Sequence, residues 1–178
     1  MMYKTGTLTT GRPAVIDVVA APEHDAADVL RLAASADQLS SHVLAEAVVT
    51  EALHRGLPLS LPADVTEQPG SGVAATDDGH RLRVGKLPAD ANRPEWVAAA
   101  ENRARLDSAA VVWVCVDGDP WGAVLLRDPI RRQAPRTMRR LRAAGLNRLV
   151  MLTGDRPEPA REVGMVLGLD DVYAEQTP

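Results

Sequence analysis

Thr153-Gly154-Asp155 sets a hydroxyl, an unencumbered stretch of backbone and a carboxylate side by side. Groups of this kind can face a phosphoryl group. Taken alone, the tripeptide equally suits a strand-to-helix turn in which Gly gives conformational freedom and Thr or Asp a cap. A second set opens the chain, where Lys4-Thr5-Gly6-Thr7-Leu8-Thr9 joins a cation, hydroxyls and a glycine. Such a set can hold phosphate, or can be a solvated terminal loop. Asp128 is a further carboxylate, His42 an isolated imidazole, and Gly70-Ser71-Gly72 a place where backbone could approach a ligand closely. Each also has a plain reading: a surface or packing histidine, a turn. Lys86 could attract phosphate or simply solubilise.

The elements that must position these residues can be read from periodicity and punctuation. Ala14–Val19 reads as a short strand. Val29, Leu30, Ala33 and Ala36 fall at helical spacing within Asp25–Asp37, with acidic residues in the first turn where the helix dipole favours them. Ser40 or Ser41 can cap a second helix that buries Leu44, Val48 and Ala52 and ends at Gly56, which puts His42 in its first turn. Pro69-Gly70-Ser71-Gly72 marks one turn, and Asp78-Gly79 between alternating runs marks a hairpin. Asn92 with Glu95 resembles a capping box opening a helix to Leu106. Ala109–Val116 reads as a buried strand, turned by Asp117-Gly118-Asp119 into Trp121–Leu126. The middle of the chain is therefore expected to be helices on an antiparallel sheet.

After Leu126 the order changes. A helix over Pro135–Ala144 ended by Gly145, a strand over Arg148–Leu152, a helix over Pro157–Leu167 ended by Gly168 and a strand over Val172–Ala174 alternate strictly. That is the pattern of parallel βαβ units, whose ligands bind beyond the carboxyl ends of the strands. Asp128 and Asp155 both fall just past a strand end. The fold class expected is α/β.

Composition narrows the partners. The 178 residues carry 20 basic and 24 acidic side chains, net −4, which argues against a nucleic-acid surface or a polybasic membrane contact. The longest apolar run, Ala109–Val116, has eight residues, far short of the roughly 18 to 20 that span a bilayer, so no direct membrane insertion is expected. One cysteine, Cys115, can make neither an internal disulfide nor a cysteine-based metal site. With no charged-then-apolar leader, a reducing, cytoplasmic setting is favoured. Aromatic residues are so few that base stacking is not expected.

Lys4-Thr5-Gly6-Thr7-Leu8-Thr9, Asp128-Pro129-Ile130-Arg131 and Met151-Leu152-Thr153-Gly154-Asp155 resemble, in order and spacing, the phosphorylation-domain motifs of P-type ATPases. Ser41-His42-Val43-Leu44-Ala45 and Gly70-Ser71-Gly72-Val73 are similar to the Ser-Glu-His-Pro-Leu-Ala and Gly-x-Gly-Val motifs of the nucleotide domain in heavy-metal, type IB pumps. The resemblance implies a partial haloacid dehalogenase-like βαβ phosphorylation domain over residues 1–15 and 120–178, and an inserted α+β, antiparallel-sheet nucleotide-binding domain over 16–119. It also implies ATP and Mg²⁺ as cofactors. His42 would then contact the adenine side of ATP, with the backbone at Gly70 and Gly72 close to the nucleotide. Asp128 would help orient ATP where the domains join. Lys4, Thr5, Thr153, Gly154 and Asp155 would form the catalytic set, Thr153 bonding the transferred phosphoryl group and the Thr5 main chain lying near the metal. The membrane-transport portion of the same pump is the implied partner, and the cytoplasmic side of a membrane the implied location.

The pattern also departs from the family. The phosphorylated Asp that precedes Lys-Thr-Gly-Thr is replaced by Tyr3, whose oxygen lies several ångströms further from the backbone, and the strand before it is expected to be missing. The chain ends before the family's phosphate-binding Lys and its Gly-Asp-Gly-x-Asn-Asp metal motif. Ser41, Val43 and Lys86 stand where the nucleotide motifs carry Glu, Pro and Asn. Three functions follow in order: the ATP-binding part of a heavy-metal pump, catalytically incomplete as an isolated chain; a non-enzymatic nucleotide- or protein-binding module descended from one; and a stand-alone phosphatase of the dehalogenase type.

Overall fold

A computed structural model describes residues 1–176. In chain order the elements are β1 (Met2–Tyr3), β2 (Ala14–Ala20), α1 (Ala26–Asp37), α2 (Val43–His54), β3 (Ala63–Gln68), β4 (Gly72–Asp77), β5 (His80–Gly85) and α3 (Glu95–Leu106). They continue with β6 (Ala110–Val116), β7 (Asp119–Arg127), α4 (Ala134–Ala143), β8 (Val150–Leu152), α5 (Pro157–Leu167) and β9 (Asp171–Tyr173). Two compact units result: Pro13–Arg127, and Met1–Arg12 together with the chain from Asp128 onward.

The smaller unit holds a parallel sheet in the order β1-β8-β9. Met151, fully buried in the central strand, packs in one cluster with Leu8, Leu149, Met138 of α4, and Ala160 and Leu167 of α5. Gly168 ends α5 in the left-handed conformation, φ 62, as its position after the last apolar residue predicts. Two residues of strand do precede Lys4, with Met2 opposite Met151 and Tyr3 opposite Leu152. The strand expected to be missing is thus present over two residues, because Met2 and Tyr3 pair with the backbone of β8.

The larger unit is one antiparallel sheet in the order β2-β7-β6-β5-β4-β3. Helices α1 and α2 cover one face through Val29, Leu30, Val48 and Ala52, packed on Val84, Val114 and Val124. Helix α3 covers the other, setting Val97, Ala100 and Ala104 on Trp113, Ala123 and Leu125. Strand β6 is buried on both faces, which is why it reads as an unbroken apolar run rather than an alternation. Asp78-Gly79 and Asp117-Gly118 each have positive φ at both residues, the type I′ geometry that Asp-Gly favours in two-residue hairpins.

Local details differ from expectation where backbone hydrogen bonding decides. The residue that caps α2 is His42, not a serine; Ser40 Oγ instead accepts from the His42 N–H at 3.2 Å. Pro94 precedes α3 without any side-chain cap, so Asn92 and Glu95 form no capping box. Residues 122–126 pair with both β6 and β2 in the antiparallel sheet, and the units divide after Arg12 and after Arg127 rather than after 15 and 119. Among the described residues no helix is long and apolar enough to cross a membrane.

Gly72 and Gly85 are register partners whose backbones nearly touch. A Cβ on Gly72 would lie 2.0 Å from the Val84 carbonyl oxygen, and one on Gly85 would lie 2.2 Å from that of Ser71. Gly70, by contrast, has nothing within 4 Å of such a Cβ and only its φ of +77° to restrict it. Urea denaturation should therefore show Gly72→Ala and Gly85→Ala each losing more than about 3 kcal/mol, and Gly70→Ala about 1 to 2 kcal/mol. Equal losses at the three positions would contradict this packing.

Candidate functional site

Lys4, Thr5, Gly6 and Thr7 form a type II turn directly after β1. Thr5 has φ −66° and ψ 128°, and Gly6 φ 77° and ψ −17°, the positive φ that demands glycine at this position. The Thr9 N–H returns to the Lys4 carbonyl at 3.1 Å and closes the loop. Because β1 and β8 are adjacent and parallel, Lys4 and Thr153 leave the sheet side by side at its carboxyl edge.

There the side chains converge on one atom. Lys4 Nζ donates to Asp155 Oδ2 in a short, charge-assisted contact, and Thr153 Oγ1 donates to the same oxygen at 2.8 Å. The Asp155 N–H donates back to Thr153 Oγ1 at 3.2 Å, so the threonine hydroxyl is turned inward. Burial pushes the Asp155 carboxyl up, but the hydrogen bonds from Lys4 and Thr153 together with the Lys4 charge outweigh it and hold the group below the usual carboxylate range. Asp155 Oδ1 makes no hydrogen bond or ion pair among the described residues. A Cβ on Gly154 would meet only the Gln176 carbonyl, at 3.5 Å. Internal packing therefore does not require glycine there.

Asp128 works on the same loop from beneath. Its carboxylate accepts from Thr9 Oγ1 at 2.6 Å, Thr10 Oγ1 at 2.9 Å and the Gly11 N–H at 3.0 Å. Arg131 donates to the carbonyls of Thr9 at 3.0 Å and Gly6 at 2.9 Å. Asp128 and Arg131 thus clamp the Lys4–Gly11 segment from its two ends. Thr9, wholly buried, and Arg131 were not singled out from sequence, although Arg131 closes the Asp128-Pro129-Ile130-Arg131 run.

The other candidates lie in the larger unit. His42 is exposed, and its Nδ1 accepts from the Leu44 N–H at 3.2 Å, so a neutral ring carries its proton on Nε2, free to donate. Ser40 Oγ donates to Glu67 Oε1 at 2.8 Å, tying the His42 loop to the end of β3, two positions before the Pro69–Gly72 turn. A narrow cleft along β4 and β5 is lined by Gln68, Ser71, Gly72, Arg83 and Lys86, two of them cationic. The glycine at 72 is already demanded by Gly85, a pairing that the sequence signalled only as a second glycine just before Lys86. Beneath the His42 loop, Asp37 is buried, and its carboxyl is pushed up to about 7, mainly by burial and further by the charge of Glu67.

Comparison with known proteins is consistent with this arrangement. Residues 4–177 match the family model of haloacid dehalogenase-like hydrolases: the chain belongs to that family. Within it, the similarity is to heavy-metal P-type ATPases. The manganese-exporting P-type ATPase of Mycobacterium tuberculosis is 36% identical over 184 residues, covering 98% of this chain and 25% of that protein. A zinc-transporting PIB-type ATPase crystallised in its E2.Pi state superposes with a TM-score of 0.84 at 32% identity, over 98% of this chain and 28% of that one. The catalytic domain of the CPx-ATPase CopB-B, described for its conformational changes upon nucleotide binding, gives 0.74 at 25% identity over 99% of this chain and 60% of that one. The chain thus spans about a quarter of the length of the curated relatives it matches.

Two pH dependences follow. The depressed Asp155 carboxyl contributes stability that is full above the unfolded value near 3.8 and lost as pH falls through the folded value. Lys4→Met should abolish that contribution and lower the melting temperature at pH 7; an unchanged melting temperature would contradict the pairing. Asp37 has the opposite sign: its raised folded value costs stability progressively between about pH 4 and 7. Asp37→Asn should therefore stabilise at pH 8 by up to ~4 kcal/mol and by nothing near pH 3, which parallel melts across pH would check.

Proposed function

We propose that this chain is the ATP-binding part of a heavy-metal-transporting P-type ATPase, facing the cytoplasm. The larger unit would serve as the nucleotide-binding domain and the smaller as part of the phosphorylation domain. The observation that carries this reading is the convergence of Lys4 and Thr153 on one carboxylate oxygen of Asp155 at the carboxyl edge of a parallel sheet, beside a Gly-turned backbone loop. The similarity to heavy-metal pumps over nearly the whole chain supports it.

The residues suit a cation carried in on phosphate better than a resident one. Among the described residues no three His, Cys, Asp or Glu side chains gather as a metal site, and Mg²⁺ characteristically takes one or two carboxylates plus phosphate and water. Asp155 Oδ1 and the Thr5 main chain would meet it; when bound, the cation supplies neutralisation of the phosphate charge. Lys4, held by Asp155, adds a fixed positive charge at the loop. The open backbone at Gly154 leaves room for phosphate oxygens, and Asp128 with Arg131 keeps the Lys4–Gly11 segment from moving away. In the larger unit, His42 Nε2–H can donate to the base, the exposed backbone at Gly70 can lie against the nucleotide, and Arg83 and Lys86 can take phosphate charge.

Tyr3 decides what the chain does not do. The residue is 61% exposed in β1, immediately before Lys4, where the family carries the carboxylate that attacks the γ-phosphate. No aspartyl phosphate can form at this position. That substitution is also what favours a second reading, a nucleotide-binding module without turnover.

Titration calorimetry should show Mg-ATP binding to the wild-type chain, weakened about three- to tenfold in His42→Gln and in Lys86→Gln, each substitution costing under about 1 kcal/mol of fold stability. Incubation with γ-labelled ATP should leave no covalent label. Absence of nucleotide binding by the wild-type chain would overturn the proposal.

A further inference from the structure

The net charge of −4 conceals a segregation that argues differently from the total. The smaller unit carries 11 basic against 7 acidic side chains, the larger 9 against 17, so their net charges are +4 and −8. The positive charge is itself concentrated, since residues 131–142 contain six arginines and no acid. Arg131 is spent on the Thr9 and Gly6 carbonyls, and Arg142 on the Gly168 carbonyl and Asp170. Arg132, Arg136, Arg139 and Arg140 are exposed. None of their four guanidinium groups has a hydrogen bond or ion pair among the described residues.

They also share one side. Helix α4 seats Ala134, Met138 and Leu141 in the core, at i, i+4 and i+7. At about 100° per residue the four free arginines, one in the turn before the helix and three on it, fall within an arc of roughly 100° on the opposite side. Arg132–Arg136 and Arg136–Arg140 are i,i+4 pairs and Arg136–Arg139 is an i,i+3 pair, all like-charged and mutually destabilising. The helix dipole favours cations in the last turn but disfavours them at the start, where Arg132 and Arg136 stand. Nothing inside the fold compensates this cost.

We propose that the arginine face of α4 docks on the anionic lipid headgroups of a bilayer surface; this rests on the reading above, which makes the chain the soluble head of a membrane pump. The guanidinium fork matches phosphate oxygens. The face presents no large apolar side chain to insert, so contact is electrostatic adsorption rather than penetration. A flat anionic surface can meet the whole arginine arc at once, through contacts screened over a Debye length of about 8 Å. Nucleic acid fits less well, since α4 carries no aromatic residue for base stacking.

Co-sedimentation with extruded vesicles tests this. The chain should bind phosphatidylcholine vesicles containing about one-third phosphatidylglycerol, ignore vesicles of phosphatidylcholine alone, and release at ~0.5 M salt. The combined variant Arg132→Gln, Arg136→Gln, Arg139→Gln and Arg140→Gln should lose binding on the order of a hundredfold. Lysine at the same four positions should retain most of it, and circular dichroism should show both variants folded. Equal sedimentation of wild type and the Gln variant, no sedimentation of either, full displacement by millimolar inorganic phosphate, or tighter binding to duplex DNA at equal phosphate content would each overturn the proposal. Mg-ATP binding measured on the same preparations separates the two readings: ATP binding without lipid binding sinks this inference alone, and lipid binding without ATP binding sinks the nucleotide reading alone.

Discussion

One oxygen atom, Asp155 Oδ2, takes hydrogen bonds from both Lys4 and Thr153 and thereby joins residues 151 positions apart in the chain. Much in the smaller unit depends on that closure. Its sheet has only three strands, of which β1 contributes two residues, and a sheet this narrow gains little from backbone pairing alone. Burial of Met151, Leu8 and Leu149 supplies the apolar part. The ion pair fixes where the loop after β1 goes once those side chains are covered. Asp128 and Arg131 complete the same constraint from the chain's second crossing, so the loop is held by charge-assisted contacts at three separate points.

The larger unit solves a different problem. A six-stranded antiparallel sheet covered on both faces has ample apolar burial, and its weak point is the region near the edge where the chain turns sharply from β3 to β4. There Gly72 and Gly85 let two backbones approach closer than any side chain permits, and the Ser40–Glu67 hydrogen bond anchors the neighbouring loop that presents His42. The buried Asp37 next to this loop is a cost rather than a support. It makes the stability of this corner depend on pH.

Much of this was legible in the sequence because local rules and tertiary demands agreed. Asp78-Gly79 and Asp117-Gly118 form the hairpin turns their dipeptides favour, Gly168 stops α5, and the βαβ alternation after Asp128 gives the parallel sheet. Lys4, Thr153 and Asp155 could be grouped before any geometry because the motifs that hold them resemble those of one family, although no strand was expected before Lys4. What escaped were features that depend on distant partners. Gly72 reads as a ligand-facing glycine until Gly85 is seen opposite it, and His42 reads as a first-turn residue until the Leu44 N–H is seen on its ring. Asp37 sits in an ordinary helical pattern and acquires its character only from burial against Glu67. The arginines of α4 disappeared into a modest total charge because opposite signs are carried on separate units.

The central proposal is that the larger unit binds nucleotide through the His42 loop and the Pro69–Gly72 turn. Amide chemical-shift mapping during titration with Mg²⁺ and a non-hydrolysable ATP analogue tests it most directly. That proposal requires saturable shifts at His42, Gly70, Ser71 and Lys86, with one midpoint among them. Shifts confined to α3 or β9, or no saturable shifts at all, would contradict it.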